Sequence, residues 1–94
     1  MKLFKTTDEK FEEIGFKKIG ESNYMVRYER MHKQAKYTQS LEFYETKHGC
    51  IIHSYVKNSF DQEGIENSGV AMTPYEMKLC IKKTREKGFT IKKV

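Results

Sequence analysis

Apolar residues recur at two different periods along this chain, and the switches between them divide it into elements. Over residues 6–14 the period is helical. Phe11 and Ile14 share a face at i, i+3, Thr6 stands three positions before Glu9 as in a capping box, and Gly15 supplies a left-handed stop. Phe16 to Ile19 reads as a brief strand that turns at residues 20–23. The period then becomes two. Tyr24, Val26 and Tyr28 alternate with Arg27 and Glu29, and residues 37–46 alternate around Leu41 and Phe43.

These patterns predict a meander of antiparallel strands. A His48-Gly49 turn pairs Lys47 with Cys50, so that Leu41 meets Val56, Phe43 meets Ser54 and Tyr44 meets His53. A four-residue loop at 32–35 puts Val26 beside Leu41 and Tyr24 beside Phe43. Residues 58–68 carry only Phe60 and Ile65 among polar side chains and read as a loop with two anchors. Residues 69–72 could add a short last strand. Thr73-Pro74-Tyr75-Glu76 then opens a helix: threonine as N-cap, proline where no amide hydrogen is needed, glutamate closing the box. It is expected to run to about Lys87 and stop at Gly88, with Met77, Cys80, Ile81 and Thr84 as the stripe against the sheet.

The expected architecture is an α+β domain spanning residues 1–94. An antiparallel β-meander of three to five strands carries a short N-terminal helix, and a capped C-terminal helix packs on one face. The core is expected from Phe11, Ile14, Val26, Leu41, Phe43, Ile52, Val56, Met77, Cys80 and Ile81.

Composition narrows the functional classes. At 94 residues, 37% apolar and 33% charged, the chain can close one core but not a core plus a large catalytic cavity. No apolar run is long enough for a membrane span or a secretory signal, which points to the cytoplasm. Two cysteines thirty positions apart read as free thiols. The net charge of +5 is unevenly placed: residues 78–94 hold seven basic residues against Glu86 alone, whereas Asp8, Glu9, Glu12 and Glu13 cluster near the start. Acids at a helix start and lysines at a helix end complement the helix dipole. The sharper reading is that the lysines meet phosphates or an acidic partner.

No catalytic constellation is evident. His48, Cys50 and His53 fall within six residues, but on a strand Cys50 and His53 point to opposite faces, poor geometry for a metal or for a base and nucleophile. Glu42 and Glu45 likewise oppose each other. No enzyme activity, cofactor or metal is expected. The candidate binding residues are those of two surfaces. The second face of the meander offers Arg27, Tyr44, His53, Tyr55 and Lys57, for a protein, a second copy, or stacked bases with the cations on phosphates. The last helix offers Tyr75 and Leu79, four residues apart on the side away from the expected core stripe, flanked by Lys78, Lys82, Lys83 and Arg85.

The run Phe11-Glu12-Glu13-Ile14-Gly15-Phe16-Lys17-Lys18, the tyrosine-rich strands and the Met72-Thr73-Pro74-Tyr75-Glu76 opening of a lysine-rich helix that ends Lys87-Gly88-Phe89 resemble small phage and prophage proteins of low-GC Gram-positive bacteria. The resemblance implies genetic context and architecture and carries no functional residue. Proteins of that kind are often accessory factors that bind and modulate a host protein or serve in replication modules. The expectation is therefore a non-enzymatic accessory protein that binds a protein partner or itself, without a membrane role. The alternative is a nucleic-acid-binding module that uses the basic helix together with Tyr44 and Tyr55.

Overall fold

The computed structural model describes residues 4–57 and 69–90. The order is α1 (Thr7–Glu13), β1 (Lys17–Glu21), β2 (Met25–His32), β3 (Tyr37–Thr46), β4 (Gly49–Lys57) and α2 (Pro74–Glu86). The strands form one antiparallel sheet in the order β1-β2-β3-β4, so the α+β meander anticipated above is what the chain adopts. The expected polar loop at 58–68 lies outside the described residues. The short last strand is reduced to a bridge between Tyr55 and Gly69 and one bond from Val70 N–H to the Ser54 carbonyl at 3.1 Å.

Both helices are built from the same local signals. At each N-terminus a threonine hydroxyl accepts from the amide three residues on, and that residue's carboxylate accepts in return from the threonine amide: Thr6 with Glu9, Thr73 with Glu76. Each C-terminus closes as a Schellman motif on a left-handed glycine. Phe16 N–H reaches the Phe11 carbonyl and Phe89 N–H the Thr84 carbonyl, both at 3.0 Å, with Gly15 at φ 95° and Gly88 at φ 74°. Gly15 has a second reason, since a Cβ there would sit 3.1 Å from the Arg30 side chain. The motif drives the next residue inward, so Phe16 and Phe89 join the core; a glycine followed by an aromatic was the available sign.

Both registers differ from expectation by two residues. Val26 pairs with Phe43 and Tyr28 with Leu41; Leu41 pairs with Ser54, Phe43 with Ile52 and Tyr44 with Ile51. Each loop sits one residue away from its expected place. Residues 33–36 turn because His32 pairs and stacks on Tyr37, at 4.5 Å between rings. Lys47 and His48 turn because the Thr46 hydroxyl accepts from His48 N–H at 3.1 Å and donates to the Gly49 carbonyl at 2.7 Å. A two-residue shift leaves every side chain on its face, so the division of the sheet survives.

Both helices pack on the face that carries Val26, Tyr28, Leu41 and Phe43, where Phe11, Phe16, Leu79, Cys80 and Phe89 complete the core. Phe11 stacks on Tyr28 at 4.4 Å and meets Phe16 edge-on at 5.8 Å. Ile14, Cys50 and Met72 pack around the cluster's margin. The β1 edge is protected by lysines and by a bulge between Lys18 and Gly20, which discourage pairing with another strand. At the β4 edge, Cys50 N–H donates to the Thr90 carbonyl at 2.8 Å.

The inward stripe of α2 corrects the expectation. Glu76, Leu79, Cys80, Lys83 and Thr84 are buried, whereas Met77 and Ile81 are 49% and 42% exposed. At about 100° per residue the helix is turned by about 80° from the stripe its apolar residues define. Leu79 is therefore core, not surface. Ion pairs cause the rotation: Glu76 Oε2 meets Arg30 Nη2 at 2.8 Å and Lys83 Nζ meets Asp8 Oδ1 at 3.1 Å, which draws both charged positions inward. Ile52, also expected in the core, is 36% exposed, and Val56 is half-buried because α2 leaves the β4 margin uncovered.

Candidate interaction surfaces

Arg30 joins four elements. It alternates inward with Val26 and Tyr28, lays its guanidinium 4.2 Å over the Phe16 ring, donates to the Ile14 carbonyl at 2.9 Å and to Gln39 Oε1 at 3.0 Å, and pairs with Glu76. Gln39 continues inward to Ser54 Oγ at 2.8 Å. The period-two pattern already placed Arg30 on the covered face. An inward arginine demands an acid, but alternation along β2 does not say that Glu76 of α2 supplies it.

A chain of alternating charges binds α2 to α1 and β1. Lys83 and Lys18 both donate to Asp8, Lys18 also meets Glu21 at 2.8 Å, and Lys87 meets Glu21 at 2.8 Å. The Tyr28 hydroxyl donates to Asp8 as well, and the Thr7 hydroxyl to Glu86. Burial alone would raise the Asp8 carboxyl, but the bonds from Tyr28, Lys18 and Lys83 outweigh it and hold it at about 2. The bonds from Lys18 and Lys87 hold Glu21 at about 2. Burial and the Asp8 charge push the Tyr28 phenol up.

The segment's basic residues are thereby sorted. Lys83, taken above as a binding residue, is buried and paired inward, while Lys78, Lys82 and Arg85 are exposed at i, i+4 and i+7 with no ion pair among the described residues. Tyr75 is 48% exposed beside them. Leu79 leaves this surface altogether, and Met77 and Ile81 take its place.

The face of the sheet away from the helices bears no described element. Met25, Tyr44 and Ile51 form one cross-strand row, Arg27, Glu42 and His53 the next, then Glu29, Ser40 and Tyr55, then Met31, Thr38 and Lys57. The five sequence-predicted positions Arg27, Tyr44, His53, Tyr55 and Lys57 do share this face. Across these three strands it carries two cations and two carboxylates. Glu29 engages both cations, Lys57 at 2.5 Å and Arg27 at 3.8 Å, and Arg27 Nε also donates to the buried Ser40 hydroxyl at 3.3 Å. His53 leans on Tyr55 with rings 4.5 Å apart.

Cys50 lies on the covered side of β4 and His53 on the open side, as strand alternation requires. Among the described residues no three His, Cys, Asp or Glu side chains gather as a metal site. Both thiols are free. Burial, then the Glu76 charge, pushes the Cys80 thiol up to about 12; burial and Glu45 raise Cys50, so neither is primed as a nucleophile. No described helix is long and apolar enough to cross a membrane. No protein-family model, curated protein or solved structure matches the chain.

Proposed function

We propose that this chain is a small non-enzymatic protein-binding domain, of the accessory kind that phages and prophages carry, and that it contacts its partner through the open face of the sheet. The observation that carries the reading is the engagement of Arg27 and Lys57 by Glu29. Two of the cations that a phosphate backbone would need on this face are already engaged from within, by one shared carboxylate. What the face offers a partner is a mixed field, with Glu29 and Glu42 set among Arg27, Lys57 and the β1 residue Lys17, and Met25, Tyr44, Ile51 and Tyr55 standing in it. Tyrosine, methionine and arginine on a rigid platform match the cores of protein interfaces, where charge must be paired before it is covered. The resemblance to phage accessory proteins points the same way.

The test is capture from a Gram-positive bacterial lysate at low and high salt, with the wild-type chain and the Tyr44→Ala/Tyr55→Ala variant. Light scattering and oligonucleotide binding are measured on the same samples. A protein held at high salt by the wild type and lost by the variant, whose circular dichroism is unchanged, supports the reading. Retention by both proteins, or oligonucleotide binding with a steep salt slope that the variant abolishes, would refute it.

A further inference from the structure

We infer that the outer face of α2 is a second docking surface, separate from the open sheet face, and that its occupant is an acidic amphipathic helix of a partner protein. The rotation of the helix creates this surface. Turning Glu76 and Lys83 inward leaves Met77 and Ile81 on the outside, one turn apart and about half exposed. Alongside this apolar pair run Lys78, Lys82 and Arg85, and Tyr75 stands on the far side of the basic row. The outer face is thus a row of cations between apolar rails, about 15 Å long at the helical rise.

Charge decides what fits. Lys83 is offset by Asp8 and Lys87 by Glu21, so these two add little to the field outside. The three outward cations have no ion pair among the described residues and form a local surplus. Carboxylates spaced along a partner helix would meet the row, and that helix's own apolar residues would cover Met77 and Ile81 as i, i+4 ridges pack. A phosphate backbone would satisfy the cations but leave the apolar pair in water. An anionic membrane would need a broader apolar face, yet Leu79 and Cys80 are committed to the core.

The experiment is fluorescence anisotropy with a labelled helical peptide that carries leucines at i, i+3, i+4 and i+7 flanked by glutamates. A scrambled peptide of the same composition, a single-stranded oligonucleotide and anionic vesicles serve as competitors. Saturable binding is expected, weakened at least about tenfold by Met77→Ser/Ile81→Ser and, independently, by Lys78→Glu/Lys82→Glu, and weaker by a similar factor for the scrambled peptide. All four positions are exposed, so circular dichroism of both variants should match the wild type. The inference is overturned by absence of binding at low salt, by indifference to the serine pair, or by an oligonucleotide or vesicle that competes as well as the peptide. It is also overturned if light scattering shows a dimer that Ile81→Ser dissociates, since a second copy would then occupy the face. Tyr44→Ala/Tyr55→Ala should leave peptide binding unchanged, which keeps this surface distinguishable from the open sheet.

Discussion

The two helices begin and end alike, yet only one obeys its hydrophobic pattern. Both open with a threonine–glutamate box and close on a left-handed glycine followed by a buried phenylalanine. α1 buries Thr7 and Phe11 with Ile14 beside them, on the side its apolar spacing selects. α2 buries a glutamate and a lysine and exposes a methionine and an isoleucine. The difference lies in what each helix meets. Asp8 and Arg30 wait at the seam under α2, and a buried charge without its partner costs more than a half-exposed apolar side chain gains from burial.

Removing the arginine is the most severe way to break this contrast. Arg30→Ala strips Glu76 of its inward partner, leaves the Ile14 carbonyl without its arginine donor and leaves Gln39 Oε1 to His32 alone, and is expected to cost about 3–5 kcal/mol in urea unfolding. Arg30→Lys should recover only part, because an ammonium cannot replace the fork that reaches Ile14, Gln39 and Glu76 together.

A pair of truncations measures the rotation itself. Leu79→Ala is expected to cost about 2–4 kcal/mol, Ile81→Ala less than about 1. The apolar stripe read from the sequence demands the reverse order, so equal or inverted losses would return α2 to that stripe.

Acid should loosen α2 next. Asp8 and Glu21 are held at about 2 in the fold against ordinary values of 3.8 and 4.5. Their contribution is therefore complete above those ordinary values and is lost as pH falls toward about 2. The urea midpoint is expected to drop across that window, and Asp8→Asn should flatten the drop while lowering stability near neutral pH. A midpoint that is level through the window would show that the charge chain does not hold the helix.

The smallest effect is expected on the outer surface. Lys82→Ala should change stability by no more than about 0.5 kcal/mol while weakening the acidic peptide, which separates a binding residue from a structural one. A comparable loss in Lys83→Ala stability would erase the distinction between outward and inward lysines.

Much of this fold was legible in the residues. The helix boundaries followed from Thr6, Glu9 and Gly15 and from Thr73, Pro74, Glu76 and Gly88, because capping chemistry is local and each partner lies within one turn. The two faces of the sheet followed from period-two alternation, which survived both register shifts because each was a shift of two. The gathering of Arg27, Tyr44, His53, Tyr55 and Lys57 on one face was legible for the same reason. What these cations touch was not: Glu29 lies in β2 with Arg27 but reaches Lys57 from two strands away.

The order of elements, their caps and the side of β2, β3 and β4 that turns inward were determined by the sequence alone, since each depends on neighbours a few positions apart. The direction in which α2 faces, the division of its lysines into structural and outward ones, and the surface left for a partner were decided only by the tertiary structure. Asp8 lies 75 residues from Lys83. No periodicity along the chain encodes a charge waiting at that distance, and that charge selects the face.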